Sequence, residues 1–136
     1  MLSCLPSSLS DGKWKRAVAP TVTDESAELV DLLDGAAPRY LNGGWVASVN
    51  AQYTSGGEII DVTVHDMGRP ENAAAIFGHG GTDAGTSEPI QVFFNANADT
   101  YYGRAISGRY VFSADGTWVS GHDLGVFLQA LIAVCR

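Results

Sequence analysis

The sequence predicts an α+β fold: an antiparallel sheet built from β-hairpins, with helices packed mainly on one face. Three observations carry this. From Trp45 to Tyr53 one side of the chain alternates with the other at a period of two, and 58–65 is rich in Ile, Val and Thr. Thr54-Ser55-Gly56-Gly57 between them is a turn, so the pair forms a hairpin. Segments 103–107 and 109–114 read as a second hairpin turning near Ser107-Gly108. Around the hairpins the period changes to that of a helix. Hairpins followed by helices give an antiparallel sheet.

Residues 1–22 read as an irregular arm, with Pro6, Ser7, Ser8, Ser10, Asp11 and Gly12 as loop formers and Trp14 as the anchor to the body. Residues 23–136 then form one α+β domain. Thr23 or Asp24 caps a first helix, with Glu25 and Glu28 near its positive end and Leu29, Leu32, Leu33 and Ala36 at helical spacing. Pro38 opens a second short turn. After the first hairpin, Asp66-Met67-Gly68-Arg69 breaks the strand, and Pro70-Glu71 starts a helix whose apolar face is Ala73, Ala74, Ile76 and Phe77. Segment 78–87, with four glycines, reads as a loop, and 90–94 as a strand or part of a helix. Segment 116–121 reads as irregular, with Trp118 folding back. Asp123 caps a closing helix over 124–135, apolar on most of its surface and therefore buried against the sheet.

Composition narrows the function classes. A chain of 136 residues fits one domain, and 46% apolar against 17% charged residues is too apolar for disorder. The net charge of −7, with eight basic residues, argues against nucleic acid, since phosphate binding needs clustered Lys and Arg. No apolar run approaches the ~20 residues that span a bilayer. No cofactor-binding motif is present.

One pair of segments is recognisable. Residues 28–41 read ELVDLLDGAAPRYL and residues 62–77 read VTVHDMGRPENAAAIF. Together they resemble a bacterial family of unknown function whose members carry an "(I/L)(N/D)GxAexYL" segment, a hairpin, and then "YDMGxPExAxxIF". Gly108-Arg109-Tyr110-Val111 is similar to that family's "kGrYyv" strand. The sequence departs from the family at His65, where Tyr is usual, and at Pro38 inside the first segment. The resemblance implies an α+β fold and frequent export, and it implies no reaction, cofactor or catalytic residue.

The candidate site residues follow from chemistry. His65-Asp66-Met67-Gly68 matches His122-Asp123-Leu124-Gly125, and Tyr53 matches Tyr110 at the same offset, a degenerate duplication over about 28–78 and 89–135. If it folds as such, His65, His122, Asp66 and Asp123 converge on a metal, His and carboxylate being zinc ligands. The blander reading makes them helix-entry and turn residues. Tyr101, Tyr102 and Trp118, with His65 and Asp66, are candidates to line a ligand groove, because Tyr and Trp join a flat apolar face to a polar edge. Gly78-His79-Gly80-Gly81 is like a hydrolase oxyanion loop, but no G-x-S-x-G elbow accompanies it. Asn95, Asn97 and Asp99 start like a calcium loop whose sixth and twelfth positions, Thr100 and Ile106, are wrong.

The two cysteines stand at opposite ends. Chain termini often lie close together, which leaves a bridge between Cys4 and Cys135 open, yet the expectation is a free Cys4 and a Cys135 buried on the closing helix. Leu2-Ser3-Cys4 resembles the end of a bacterial lipoprotein cleavage site. If the gene starts further upstream, Cys4 becomes a candidate lipidated residue and the protein extracytoplasmic. The functional expectation is a non-enzymatic accessory or binding module for a partner protein or small ligand. Its rivals are a metal-dependent enzyme and a structural subunit of a larger assembly.

Overall fold

The computed structural model describes residues 4–80 and 89–135. Its frame is one antiparallel sheet of eight strands: β1 (Ser8–Leu9), β2 (Trp14–Lys15), β3 (Thr21–Thr23), β4 (Ala47–Ser55), β5 (Glu58–Asp66), β6 (Ile90–Asn95), β7 (Thr100–Ser107) and β8 (Tyr110–Thr117). The order across it is β1-β2-β4-β5-β8-β7-β6, with β3 also paired to β4. The helices are α1 (Ser26–Leu33), α2 (Ala37–Asn42), α3 (Pro70–Gly80) and α4 (Gly121–Val134), and a 3-10 turn, Asp34–Ala36, joins the first two. The expected α+β fold and both expected hairpins are present.

Strand alternation sorts the side chains. Val49, Ala51, Tyr53, Ile60, Val62, Val64, Ala105, Phe112 and Ala114 point to one face, where α4 buries Leu124, Phe127, Leu128 and Leu131 at i, i+3, i+4 and i+7. Gly103 lets the helix come close. A methyl group added there would stand 2.6 Å from Leu128 Cδ1. The opposite face carries α1–α3 over Val111 and Ile106, around a second cluster of Leu29, Ala37, Tyr40, Met67, Ala73 and Ile76. Three of the four helices thus share a face, and α4 has the other to itself.

Several elements differ from expectation. The N-terminal arm is not irregular, because β2 and β3 occupy the outer edge of β4, where unpaired backbone groups need partners, and β1 pairs with β2. Trp14 does anchor it, 1% exposed and edge-on to Phe127 at 5.7 Å, and the Tyr53 hydroxyl donates to the Pro6 carbonyl at 2.6 Å. A boundary at residue 22 therefore runs through β3. Segment 90–94 resolves as the strand β6. Strand β8 continues to Thr117, and Trp118 does not fold back; it is 83% exposed at φ +63, in the left-handed region. Helix α3 extends through Gly80, so the glycine loop expected at 78–87 begins as helix, and its remainder lies outside the described residues.

Cys4 and Cys135 form a disulfide, against the expectation of free thiols. The arm lies across the end of α4, which brings the two ends together. With its sulfur in that bond, Cys4 has no thiol for lipid attachment.

Candidate functional site

The four proposed metal ligands do not meet. His65 lies near the end of β5 opposite Val111, whereas α4, with His122 and Asp123, starts just beyond Thr117, which pairs with Ile59 at the other end of β5. Six residues of strand separate Val111 from Thr117, about 20 Å. His65 is also on the face of the sheet opposite α4, in the row of Ser48 and Val111. The matching tetrapeptides sit in unlike structures, one closing a strand and the other opening a helix, so that repeat register pairs no like elements. Among the described residues, one cluster has metal-ligand spacing, Asp24, Glu25 and Glu28, and it is fully exposed on the surface.

His65 and Asp66 have structural duties instead. His65 is 1% exposed beneath the Tyr40 ring at 4.6 Å, with Nδ1 2.6 Å from Ser48 Oγ. Trp45 Nε1 donates to the same oxygen at 2.8 Å, leaving the Ser48 proton to point at Nδ1. Burial lowers the His65 pKa to about 4, so the ring is neutral at pH 7. Asp66 accepts from the Gly68 N–H at 2.9 Å and pairs with Arg109 Nη2 at 2.8 Å. Gly68, at φ +83 and 3.4 Å from the Gly44 carbonyl when given a Cβ, makes the turn into α3. The Asp-Met-Gly-x-Pro-Glu segment is thus a strand-to-helix joint. At the far end, Ser120 Oγ caps α4 through the Asp123 N–H at 3.1 Å.

Tyr101, Tyr102 and Trp118 do gather at one end of the sheet, at the start of β7 and just past the end of β8. Alternation sends the two tyrosines to opposite faces. Tyr101 packs against Phe94 at 5.1 Å on the α4 side. Tyr102 stacks on Phe93 at 5.2 Å, with the ring planes 27° apart, on the face that α1–α3 only partly cover.

That uncovered half-face holds what motif reading missed. The strand register aligns Gln52, Asp61, Asp115, Tyr102 and Phe93 in one row across five strands. The neighbouring row is Asn50, Thr63, Ser113, Arg104 and Gln91. Their side chains are exposed or half-buried, except Arg104, which marks where helix cover begins. Arg104 is 6% exposed, donates to the Phe77 carbonyl at 2.8 Å and to Gln91 Oε1 at 3.3 Å, and lies 4.5 Å over the Phe77 ring. Asp61 and Asp115 are direct cross-strand partners. Asp61 accepts from Asn50 Nδ2 at 2.7 Å. Partial burial and then the Asp61 charge raise the Asp115 pKa above the usual carboxylate value. Among the described residues, neither carboxylate is in an ion pair. No linear motif signals this pair, because only the register of β5 against β8 makes the two residues neighbours.

The fold and this face define a class: an α+β domain whose sheet is roofed by α4 on one side and, among the described residues, half open on the other. No family model matches the chain, and no curated protein matches it. Among solved structures, the chain is similar to the extracellular domain of PknH from Mycobacterium tuberculosis, with 11% sequence identity and a TM-score of 0.59. The match covers 93% of this chain and 84% of that one. A likeness at that identity is one of fold.

Proposed function

We propose that the protein is a non-enzymatic binding module of an oxidising, extracytoplasmic compartment, taking a small ligand or a partner on the open half of its sheet. The observation that carries the binding reading is the row Asp61-Asp115-Tyr102-Phe93, two carboxylates without an ion pair beside a stacked aromatic pair, on a half-face that no described helix covers. Exposed polar and aromatic groups on a rigid sheet are suited to recognition. The Cys4–Cys135 bond supports the compartment, since structural disulfides persist outside the reducing cytosol. The extracellular origin of the PknH domain is in keeping with it. The buried, hydrogen-bonded His65 has no room for substrate beside it, which weighs against an enzyme site built on His65 and Asp66.

Amide chemical-shift mapping against a small-molecule library tests the binding reading. Perturbations should cluster at Asp61, Thr63, Phe93, Tyr102 and Asp115. A hit set centred elsewhere sinks it, as does substrate turnover abolished by His65→Ala or Asp66→Asn. Thiol trapping in intact cells tests the compartment: the chain should react with a maleimide only after reduction.

A further inference from the structure

We propose that the open half-face binds an organic cation, an alkylammonium group seated on Asp61 and Asp115 with its carbon chain over Tyr102 and Phe93. This rests on the reading of that face as the binding surface and names the ligand class.

Charge complementarity carries the argument. Asp61 and Asp115 sit directly opposite each other on adjacent strands, a placement that puts side-chain Cβ atoms about 5 Å apart and destabilises a sheet when the charges are alike. Among the described residues no Lys or Arg is in an ion pair with either: Lys13, Arg69 and Arg109 pair elsewhere, Arg16 and the neighbouring Arg104 are turned to backbone carbonyls, and neither Arg39 nor Lys15, which is on the same face in β2, bridges to them. A cation placed between the two carboxylates removes the repulsion, whereas a neutral ligand leaves it.

The next two positions in the row select the kind of cation. Tyr102 follows Asp115 and Phe93 follows Tyr102, the two rings stacked at 5.2 Å. Ring faces attract a positive charge and cover methylene groups, and they offer no ligand to a metal ion. Two carboxylates also fall well short of the six to eight oxygens calcium takes. An ammonium on a hydrocarbon chain satisfies both halves of the row. Asn50 Nδ2, bonded to Asp61 Oδ1, Thr63 Oγ1 and the Val62 carbonyl, fixes the first carboxylate in place, so little is lost in ordering it.

The experiment is a titration of the full chain with n-butylammonium chloride, followed by amide shifts, with potassium chloride at matched concentration as the control for plain ionic effects. The amine is expected to perturb the Asp61, Asp115 and Tyr102 amides saturably, and potassium is not. Asp61→Asn with Asp115→Asn should weaken binding at least about tenfold, the loss of a charge-assisted contact. Tyr102→Leu should weaken it about two- to fivefold. The Asn substitutions are isosteric, Tyr102→Leu removes the ring from a half-buried position, and the amide spectra of both variants show whether the fold persists. If the amine binds equally well to the double Asn variant, or if only a neutral oligosaccharide such as maltotetraose binds at Tyr102, the cation is overturned while the face stays a binding surface. If neither probe perturbs this face and library hits map elsewhere, the binding-face reading falls with it.

Discussion

The two faces of the sheet are built to different ends from the same strands. On one, Val49, Ala51, Tyr53, Ile60, Val62, Val64, Ala105, Phe112 and Ala114 form an apolar layer, closed by α4 together with Leu5, Leu9 and Trp14 of the N-terminal arm. Its ends are tied by a bond between residues 131 apart in sequence. On the other, the helices cover only the end that holds Ser48, His65, Val111 and Ile106, and beyond Arg104 the strands turn acidic, aromatic and amide-rich. The first face carries stability by burying its apolar side chains. The second gives up burial, tolerates opposed like charges, and keeps its polar groups in reach. Sites of recognition commonly sit where stability has been given away.

That contrast makes the α4 face the place where damage should be greatest. Replacing Cys4 and Cys135 by Ser removes a cross-link around nearly the whole chain, for which loop entropy gives up to about 5 kcal/mol. Urea unfolding with and without reductant measures it, and coincident curves would show that the bond contributes nothing. Leu128→Ala comes next. Leu128 is fully buried and lies against the Gly103 backbone, so its loss leaves a cavity with little to fill it. The expected cost is about 3 kcal/mol, within the range for Leu→Ala in cores. A loss below about 1 kcal/mol would mean that α4 settles onto the sheet and that this face is less tightly fitted than described.

The covered end of the second face should announce itself through pH. His65 has a folded pKa near 4, below the ordinary 6.5, because burial disfavours the charged ring. Between those values the unfolded chain binds a proton that the native one refuses. This contribution to stability is therefore complete above about pH 6.5 and is lost as pH falls toward 4. Between pH 7 and pH 5 the decline is about 2 kcal/mol from this group. His65→Gln should lower stability at pH 7, by leaving the Ser48 hydroxyl poorly matched, and flatten the slope. A variant with the wild-type slope would place the acid sensitivity in another group.

The elements most readable in the sequence were those with a local cause. Period-two alternation marked β4 and β5, and Pro70-Glu71 after Asp66-Met67-Gly68 marked the joint into α3, now seen as an Asp66 side chain holding the Gly68 N–H. The aromatic candidates Tyr101, Tyr102 and Trp118 lie at one end of the sheet, but which face each takes depends on phase within β7, and the backbone at Trp118 leaves the strand in a left-handed conformation that a tryptophan gives no hint of. What failed was non-local. The arm became part of the sheet because the edge of β4 needed partners, and the disulfide formed because that arm crosses the end of α4. The repeated His-Asp pair looked like a site because sequence spacing cannot tell a strand end from a helix start. The Asp61–Asp115 row was invisible for the same reason in reverse, since 54 positions of chain separate two residues that the register makes neighbours.

The smallest expected effect is the most telling about the open face. If Asp61 and Asp115 are held opposite each other for recognition, relieving their repulsion should make the protein slightly more stable. Asp115→Asn keeps the shape and removes one charge, and opposed like charges in a sheet are worth about 0.2–1 kcal/mol. The sign follows from Asp115: burial and the Asp61 charge raise its pKa, so the charged carboxylate is less favourable in the native sheet than in the unfolded chain, and asparagine removes that charge. The gain should appear at pH 7, shrink as pH falls and Asp115 takes up its proton, and shrink also in high salt, which screens the exposed pair. The opposite sign, a loss of stability on substitution, would mean that Asp115 already has a partner in the native protein, and the face would then have to be read as a structural surface like the one beneath α4.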